Sequence, residues 1–263
     1  MTITVFTSNQ PRHLSLIRDL ASIADKVYAI MEVTTVFPGA RADFFKKSDV
    51  MQTYFSKVIA SEQKFFGNIN FLPSNVHPLI LKSGDLNKVD YSIFKPALQS
   101  DEYVVFGGSF IKGELIDFLV KENAYNIHMG VSPYYRGSSC NFWAAYEKNY
   151  DKVGATIHML SKGLDSGDML FHALPGFEED PFDLGMRAVK SAHKGLIDNL
   201  KSGKLSSFKK MKQDKADEIK YTKNIAFNDD VALDYLNNPP SAEEIKQVLD
   251  NRKSEEFLNP FIY

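Results

Sequence analysis

Asn126 and His128 stand two apart in Tyr125-Asn126-Ile127-His128-Met129, a run that reads as a strand. Successive strand side chains point to opposite faces, so Asn126 and His128 emerge on the same one. An amide donor beside an imidazole can hold a developing oxyanion and move a proton. Asp165, in Leu164-Asp165-Ser166-Gly167-Asp168, comes from a later loop and completes an acyl-transfer set. Taken alone, His128 is more often structural, and an Asp-Ser-Gly loop is most often a turn. Their setting gives the three weight. Pro133-Tyr134-Tyr135-Arg136-Gly137 follows the histidine, and Gly154-Ala155-Thr156-Ile157-His158-Met159 leads into Gly163-Leu164-Asp165.

Two strand-to-helix turns offer further chemistry. Gly107-Gly108-Ser109-Phe110-Ile111 lacks the GxGxxG spacing of a dinucleotide loop, so it reads as a tight turn. Ser8-Asn9-Gln10-Pro11-Arg12-His13 opens the first helix. A helix amino terminus with an arginine suits a phosphate, and it equally suits an ordinary helix start. Arg136 is a second phosphate candidate. Phe142 and Trp143 fit core packing, Cys140 a small residue near the site, and His158 a structural role. No CxxC or HExxH spacing implies a metal.

Strand and helix patterns alternate around these residues. Thr2–Thr7, Lys26–Glu32, Leu79–Lys82, Tyr103–Phe106, Val153–Leu160 and Met169–Leu174 are strand-like. Arg12–Ser22, Asp49–Phe66, Lys112–Lys121, Cys140–Lys148 and Asp180–Lys201 are helix-like. The alternation predicts an α/β fold, a mainly parallel twisted sheet with helices on both faces. Composition shifts near Lys201, with eight lysines from Lys201 to Lys223, diluted by acids and expected to line a solvated helix face. Ser241 and Glu244 form a capping-box pattern, and the apolar ending Phe257–Tyr263 is expected to dock. The expected division is a catalytic domain over 1–204 and a small C-terminal appendage over 205–263.

The chain has 263 residues, 44% of them hydrophobic and 24% charged, as in ordinary globular proteins. A net charge of −2 provides no global attraction to nucleic acid or an anionic membrane. No apolar run approaches the roughly 18 residues of a spanning helix, and the first apolar run, Met1–Phe6, suits a strand better than a signal sequence. One cysteine excludes an intrachain disulfide and fits a reducing cytoplasm.

The ordered series Asn-x-His, Pro-x-x-x-Gly, Gly-Ala-Thr-x-His and Leu-Asp-x-Gly-Asp resembles the 10-formyltetrahydrofolate-dependent formyltransferases, tightly over about 100–175 and loosely over about 1–200. The resemblance implies a Rossmann-like fold, with Asn126, His128 and Asp165 catalytic through a tetrahedral oxyanion. It implies 10-formyltetrahydrofolate as co-substrate, held by Gly107, Ser109, Phe110, Ile111, Gly163, Leu164 and Asp168. The acceptor falls to Asn9, Arg12, His13, Ser132, Tyr134, Tyr135 and Arg136. One departure concerns the acceptor: many relatives carry Pro-(Ser/Ala)-Leu-Leu-Pro after the histidine, whereas this chain has Met129-Gly130-Val131-Ser132-Pro133.

Among these enzymes the chain is most similar to the bacterial nucleotide-sugar N-formyltransferases. These formylate an amino-deoxysugar, such as perosamine on GDP or an amino-dideoxysugar on dTDP, for surface polysaccharide. The methionyl-tRNA enzymes carry a basic barrel after the catalytic domain, whereas 263 − 208 = 55 residues follow Phe208 here. A glycinamide ribonucleotide enzyme would have a glycine-rich first loop, and a formyltetrahydrofolate hydrolase a preceding regulatory domain. A non-catalytic folate-binding module would lack one of the three catalytic residues. The resemblance therefore implies a cytoplasmic homodimer acting on a small nucleotide sugar, with no nucleic acid, membrane or metal.

Overall fold

The computed structural model describes residues 1–33, 44, 47–68 and 71–263. The chain begins β1 (Thr2–Thr7), α1 (Pro11–Ala21), β2 (Lys26–Val33), α2 (Asp49–Phe66), β3 (Val76–Lys82), β4 (Glu102–Val105), α3 (Gly113–Lys121) and β5 (Tyr125–His128). It continues through β6 (Tyr135–Gly137), α4 (Cys140–Tyr146), β7 (Ala155–Met159), β8 (Met169–Leu174) and α5 (Pro181–Lys201). Last come β9 (Lys220–Thr222), α6 (Asp229–Asn237), α7 (Ala242–Asp250) and β10 (Phe261–Ile262). Among the described residues, eight strands form one sheet in the order β10-β8-β7-β5-β4-β1-β2-β3. Its ladders are parallel except where β7 runs against β5 and β8, so the sheet is mainly parallel, as its alternating pattern predicts.

β1 lies between β4 and β2 and is buried from Ile3 to Thr7, as a strand covered on both faces must be. Its alternation divides the core. Ile3 and Val5 join Leu16, Ile17 and Leu20 of α1 and Val189, Ala192 and Leu196 of α5. Phe6 joins Leu115, Ile116 and Leu119 of α3 in a separate cluster. Several helices start at side-chain caps, as α5 does: Asp180 accepts from the Phe182 and Asp183 amides at 2.7 and 3.2 Å. The Ser241/Glu244 capping box is present. No helix among the described residues is long and apolar enough to cross a membrane.

Past residue 204 the structure departs from the expected pattern. The lysine-rich stretch does not line a helix beyond the end of α5: it passes through short 3-10 turns and a bridge at Met211 into β9, which pairs with β6. Its lysines are spread over tight turns and an extended segment, so they do not share a helical face. Ala232 and Tyr235 of α6 and Ile245 of α7 pack with Tyr54, Trp143 and Leu184. The chain end docks, as its apolar character predicts, by adding β10 to the edge of β8.

Candidate active site

β5 delivers Asn126 and His128 to the carboxyl ends of the central strands, where ligands of open α/β sheets collect. Asp165 arrives on the β7–β8 loop. His128 Nδ1 lies 3.2 Å from Asp165 Oδ2, and Asn126 Nδ2 donates to Asp165 Oδ1 at 3.1 Å. Asp165 has φ = +43°, a left-handed conformation that is strained for a residue with a Cβ. His158 enters from β7. Its Nδ1 lies 2.8 Å from the Met159 carbonyl, which only accepts, so Nδ1 carries the hydrogen and Nε2 accepts from Asn126 Nδ2 at 2.9 Å. Both hydrogens of the Asn126 amide are thus engaged at rest.

The electrostatics follow from burial and pairing. Burial pulls the His128 imidazole down, but the bonds and charge of Asp165, aided by Cys140, outweigh it and raise His128 to about 10. Burial pushes Asp165 up, and its histidine partners more than offset this, holding it below the usual carboxylate range. His128 carries that effect: His158 Nε2, an acceptor 3.7 Å from Asp165, makes no hydrogen bond to it. At neutral pH the pair is an imidazolium and a carboxylate that titrate together.

A cavity of about 280 Å³ opens beside this pair. The β4–α3 turn contributes Gly107, Ser109, Phe110 and Ile111, and the β7–β8 loop contributes Gly163 and Leu164. Asn126, His128 and Asp165 line the same space. Asp168, expected there, lies outside; its carbonyl instead accepts from the Met159 amide at 2.8 Å and closes the loop. Sequence reasoning missed Glu32, at the buried end of β2, which accepts from the amides of Gly84, Leu86 and Ser109 at 2.9, 3.1 and 2.7 Å. Burial pushes its carboxyl up, yet these donors more than compensate and lower it, so an ionised Glu32 anchors the cavity wall. A lone acid in an apolar strand was the available signal. Gly130, part of the departure after His128, has a steric cause: a Cβ there would meet Cys140 Cβ at 2.6 Å and His128 Nε2 at 2.8 Å. Cys140 Sγ rests 3.5 Å from that nitrogen.

The expected acceptor residues do not gather in one place. A second cavity of about 360 Å³ shares Met129 with the first and is lined by Arg12, Tyr54, Phe142, Phe182 and Phe227. Arg12 there donates to Glu62 Oε1 at 2.7 Å, so its charge is compensated. Asn9 is half-buried but borders neither cavity. His13 is 3% exposed, held at about 2 by burial and by the Arg12 and His193 charges, and its ring packs on Phe106. It is neutral and cannot attract phosphate. Ser132 is 0% exposed, its amide bonded to Thr156 Oγ1 at 2.8 Å. Tyr135 is 1% exposed and bonds Glu147 and Asn149, so it presents no face for stacking. Tyr134 bonds the Glu256 carbonyl at 2.8 Å and lines a different pocket. Arg136 donates to Glu218 at 2.9 Å and, with Lys215, Tyr221 and Asp165, borders a groove of about 400 Å³.

Residues 97–200, which contain β5, the β7–β8 loop and all three candidate catalytic side chains, match the family model described as formyl transferase. These residues resemble a formyl transferase domain. Over 171 residues the chain is 26% identical to the methionyl-tRNA formyltransferase of Thermotoga maritima, covering 64% of this chain and 53% of that protein. The chain thus spans about half the length of that curated relative. The formyltransferase fold recurs in a sugar N-formyltransferase from a Shewanella species, with a TM-score of 0.51 and 18% identity over 86% of this chain and 78% of that one. It recurs also in the formyltransferase PseJ of Anoxybacillus kamchatkensis, solved with UDP-4,6-dideoxy-4-formamido-L-AltNAc and tetrahydrofolate. That structure has a TM-score of 0.51 and 14% identity over 93% of this chain and 97% of its own. At these identities the structures speak to fold.

Proposed function

We propose that this protein transfers a formyl group from 10-formyltetrahydrofolate to the amino group of a nucleotide-linked amino-deoxysugar. The observation that carries it is the Asn126–His128–Asp165 cluster, which lines one cavity with the β4–α3 turn inside the segment that resembles a formyl transferase domain. That cavity takes the folate. The acceptor enters by the second cavity, whose aromatic rings suit the apolar face of a deoxysugar and which meets the first at Met129, next to His128.

His128, as imidazolium, donates to the formyl oxygen as the attacking amine turns it into an oxyanion. Such a donor is worth roughly 3–4 kcal/mol of barrier. Asn126 adds a second donor by exchanging its Asp165 bond for the oxyanion. Asp165 keeps His128 charged and oriented, and the His128–Asp165 pair takes the proton shed by the amine. Returning that proton to the departing nitrogen breaks the C–N bond to the folate. The proposal includes a cytoplasmic homodimer serving surface-polysaccharide synthesis, and light scattering on the purified protein tests the dimer.

The methionyl-tRNA relatives favour a second acceptor, charged initiator tRNA. Electrostatics supports the sugar. tRNA binding neutralises several phosphates and weakens steeply with salt, whereas this chain carries a net charge of −2 and pairs Arg12 and Arg136 with carboxylates. The test is formylation of amino-deoxysugar nucleotides on GDP, dTDP and UDP, alongside methionyl-tRNA, across a salt series. Sugar formylation with weak salt dependence is expected. Efficient formylation of methionyl-tRNA would transfer the assignment to the second acceptor, and formate release without any acceptor would make the protein a hydrolase.

A further inference from the structure

Gln213 lies outside the catalytic cavity, in the segment that follows the bridge between Met211 and Met169. Backbone bonds of 2.7 and 2.9 Å in that bridge fix the segment to the start of β8, beside the loop that carries Asp165. Gln213 is half-buried among exposed neighbours. Its Nε2 donates to the Asp165 carbonyl at 2.8 Å and to the Gly167 carbonyl at 3.0 Å. The amide therefore spans the turn at Ser166, while its buried Oε1 has no partner among the described residues. Both donors of the amide are thus spent on one loop.

That loop needs holding. Asp165 has φ = +43°, and the loop's other end is pressed against β7, where a Cβ on Gly167 would sit 1.7 Å from the Met159 carbonyl oxygen. Strained residues of this kind persist only when surrounding contacts over-determine them. We propose that Gln213 is a positioning residue that clamps the Asp165 turn and so sets the carboxylate against His128. This inference rests on the catalytic role proposed for that pair. Gln213 touches no reacting atom; it acts through the backbone of Asp165.

The test uses the full chain with Gln213→Met, which keeps the stem and removes both donors, and Gln213→Glu, which turns an acceptor toward the two carbonyls. The first readout is the His128 titration, followed by imidazole NMR and assigned against His128→Gln. Asp165, Cys140 and His158 face His128 in the structure, and of these only Asp165 is held by Gln213. Loosening the clamp should move the His128 midpoint down by about one pH unit or more, toward its ordinary value near 6.5. Where the parent is active, turnover should fall about tenfold or more, since a misplacement of about 1 Å costs on the order of 100-fold. A His128 midpoint within about 0.3 of the parent in both variants would overturn the proposal, as would failure of both to fold, which would make Gln213 a folding residue. The titration requires no turnover. A parent inactive on every acceptor would therefore sink the proposed function and leave the clamp to be decided by NMR.

Discussion

At the scale of single residues, the resting site is an ion pair with its donors already committed. Asp165 receives the Asn126 amide and faces His128. Asp165→Asn keeps the shape and removes the charge, so turnover should drop by about a thousandfold with folding preserved. The His128 midpoint, raised to about 10 in the parent, should fall with it. Turnover within a few-fold of the parent would exclude Asp165 from the chemistry. Asn126→Ala and His128→Ala should each cost on the order of a hundredfold, and the double variant far less than their product, because the two act as one unit. Fully multiplicative losses in single-turnover rates would place them in separate steps.

At the scale of elements, the helices that wall the proposed acceptor cavity are tied together by charge. Arg12 of α1 bonds Glu62 of α2, whose side chain is buried, so the guanidinium reaches the cavity already compensated. Glu62→Gln should release that charge. The Michaelis constant for an anionic nucleotide acceptor should then fall several-fold, with that for the folate unchanged. Unchanged acceptor kinetics would move phosphate recognition to the groove bordered by Arg136 and Lys215. Arg12→Ala is the poorer probe, because it strands a buried carboxylate and its effect on stability would mask any effect on binding.

Across the whole molecule, the buried histidines set the pH range of stability. His13, His172 and His193 are held at about 2, 4 and 3, chiefly by burial. Each depressed histidine contributes stability that is present above the unfolded value near 6.5 and lost as pH falls below it. With three groups at about 1.4 kcal/mol per pH unit each, the slope approaches about 4 kcal/mol per unit on the acid side. His128 has the opposite sign: raised to about 10, it contributes stability below 6.5 that is lost as pH rises toward 10. Denaturant titrations should therefore find maximal stability near pH 6.5–7. His193 packs on Phe66 and Phe106, with neither ring nitrogen bonded among the described residues. His193→Phe should flatten the acid limb by about a third; an unaltered slope would show that His193 does not titrate on unfolding.

The sequence by itself determined the alternation of strands and helices, the mainly parallel sheet and the facing of Asn126 with His128. These rest on the two-residue period of a strand, the periodicity of helices and the turn chemistry of Leu164–Asp168, all local in the chain. The capping box at Ser241 was legible for the same reason. Short strands such as β6 and β9 were not, because three residues hold no period and form only by finding each other, Tyr135 opposite Lys220. The partners of the acceptor residues were illegible on similar grounds. His13 and Tyr135 were expected beside the acceptor, and Arg12 and Arg136 as phosphate candidates, until packing buried His13 and the tyrosine and carried Glu62 to Arg12 and Glu218 to Arg136. The charge a site presents is the sum over partners brought in from distant positions. Tertiary structure alone decided it here, as it decided that Gln213 would hold the turn of Asp165.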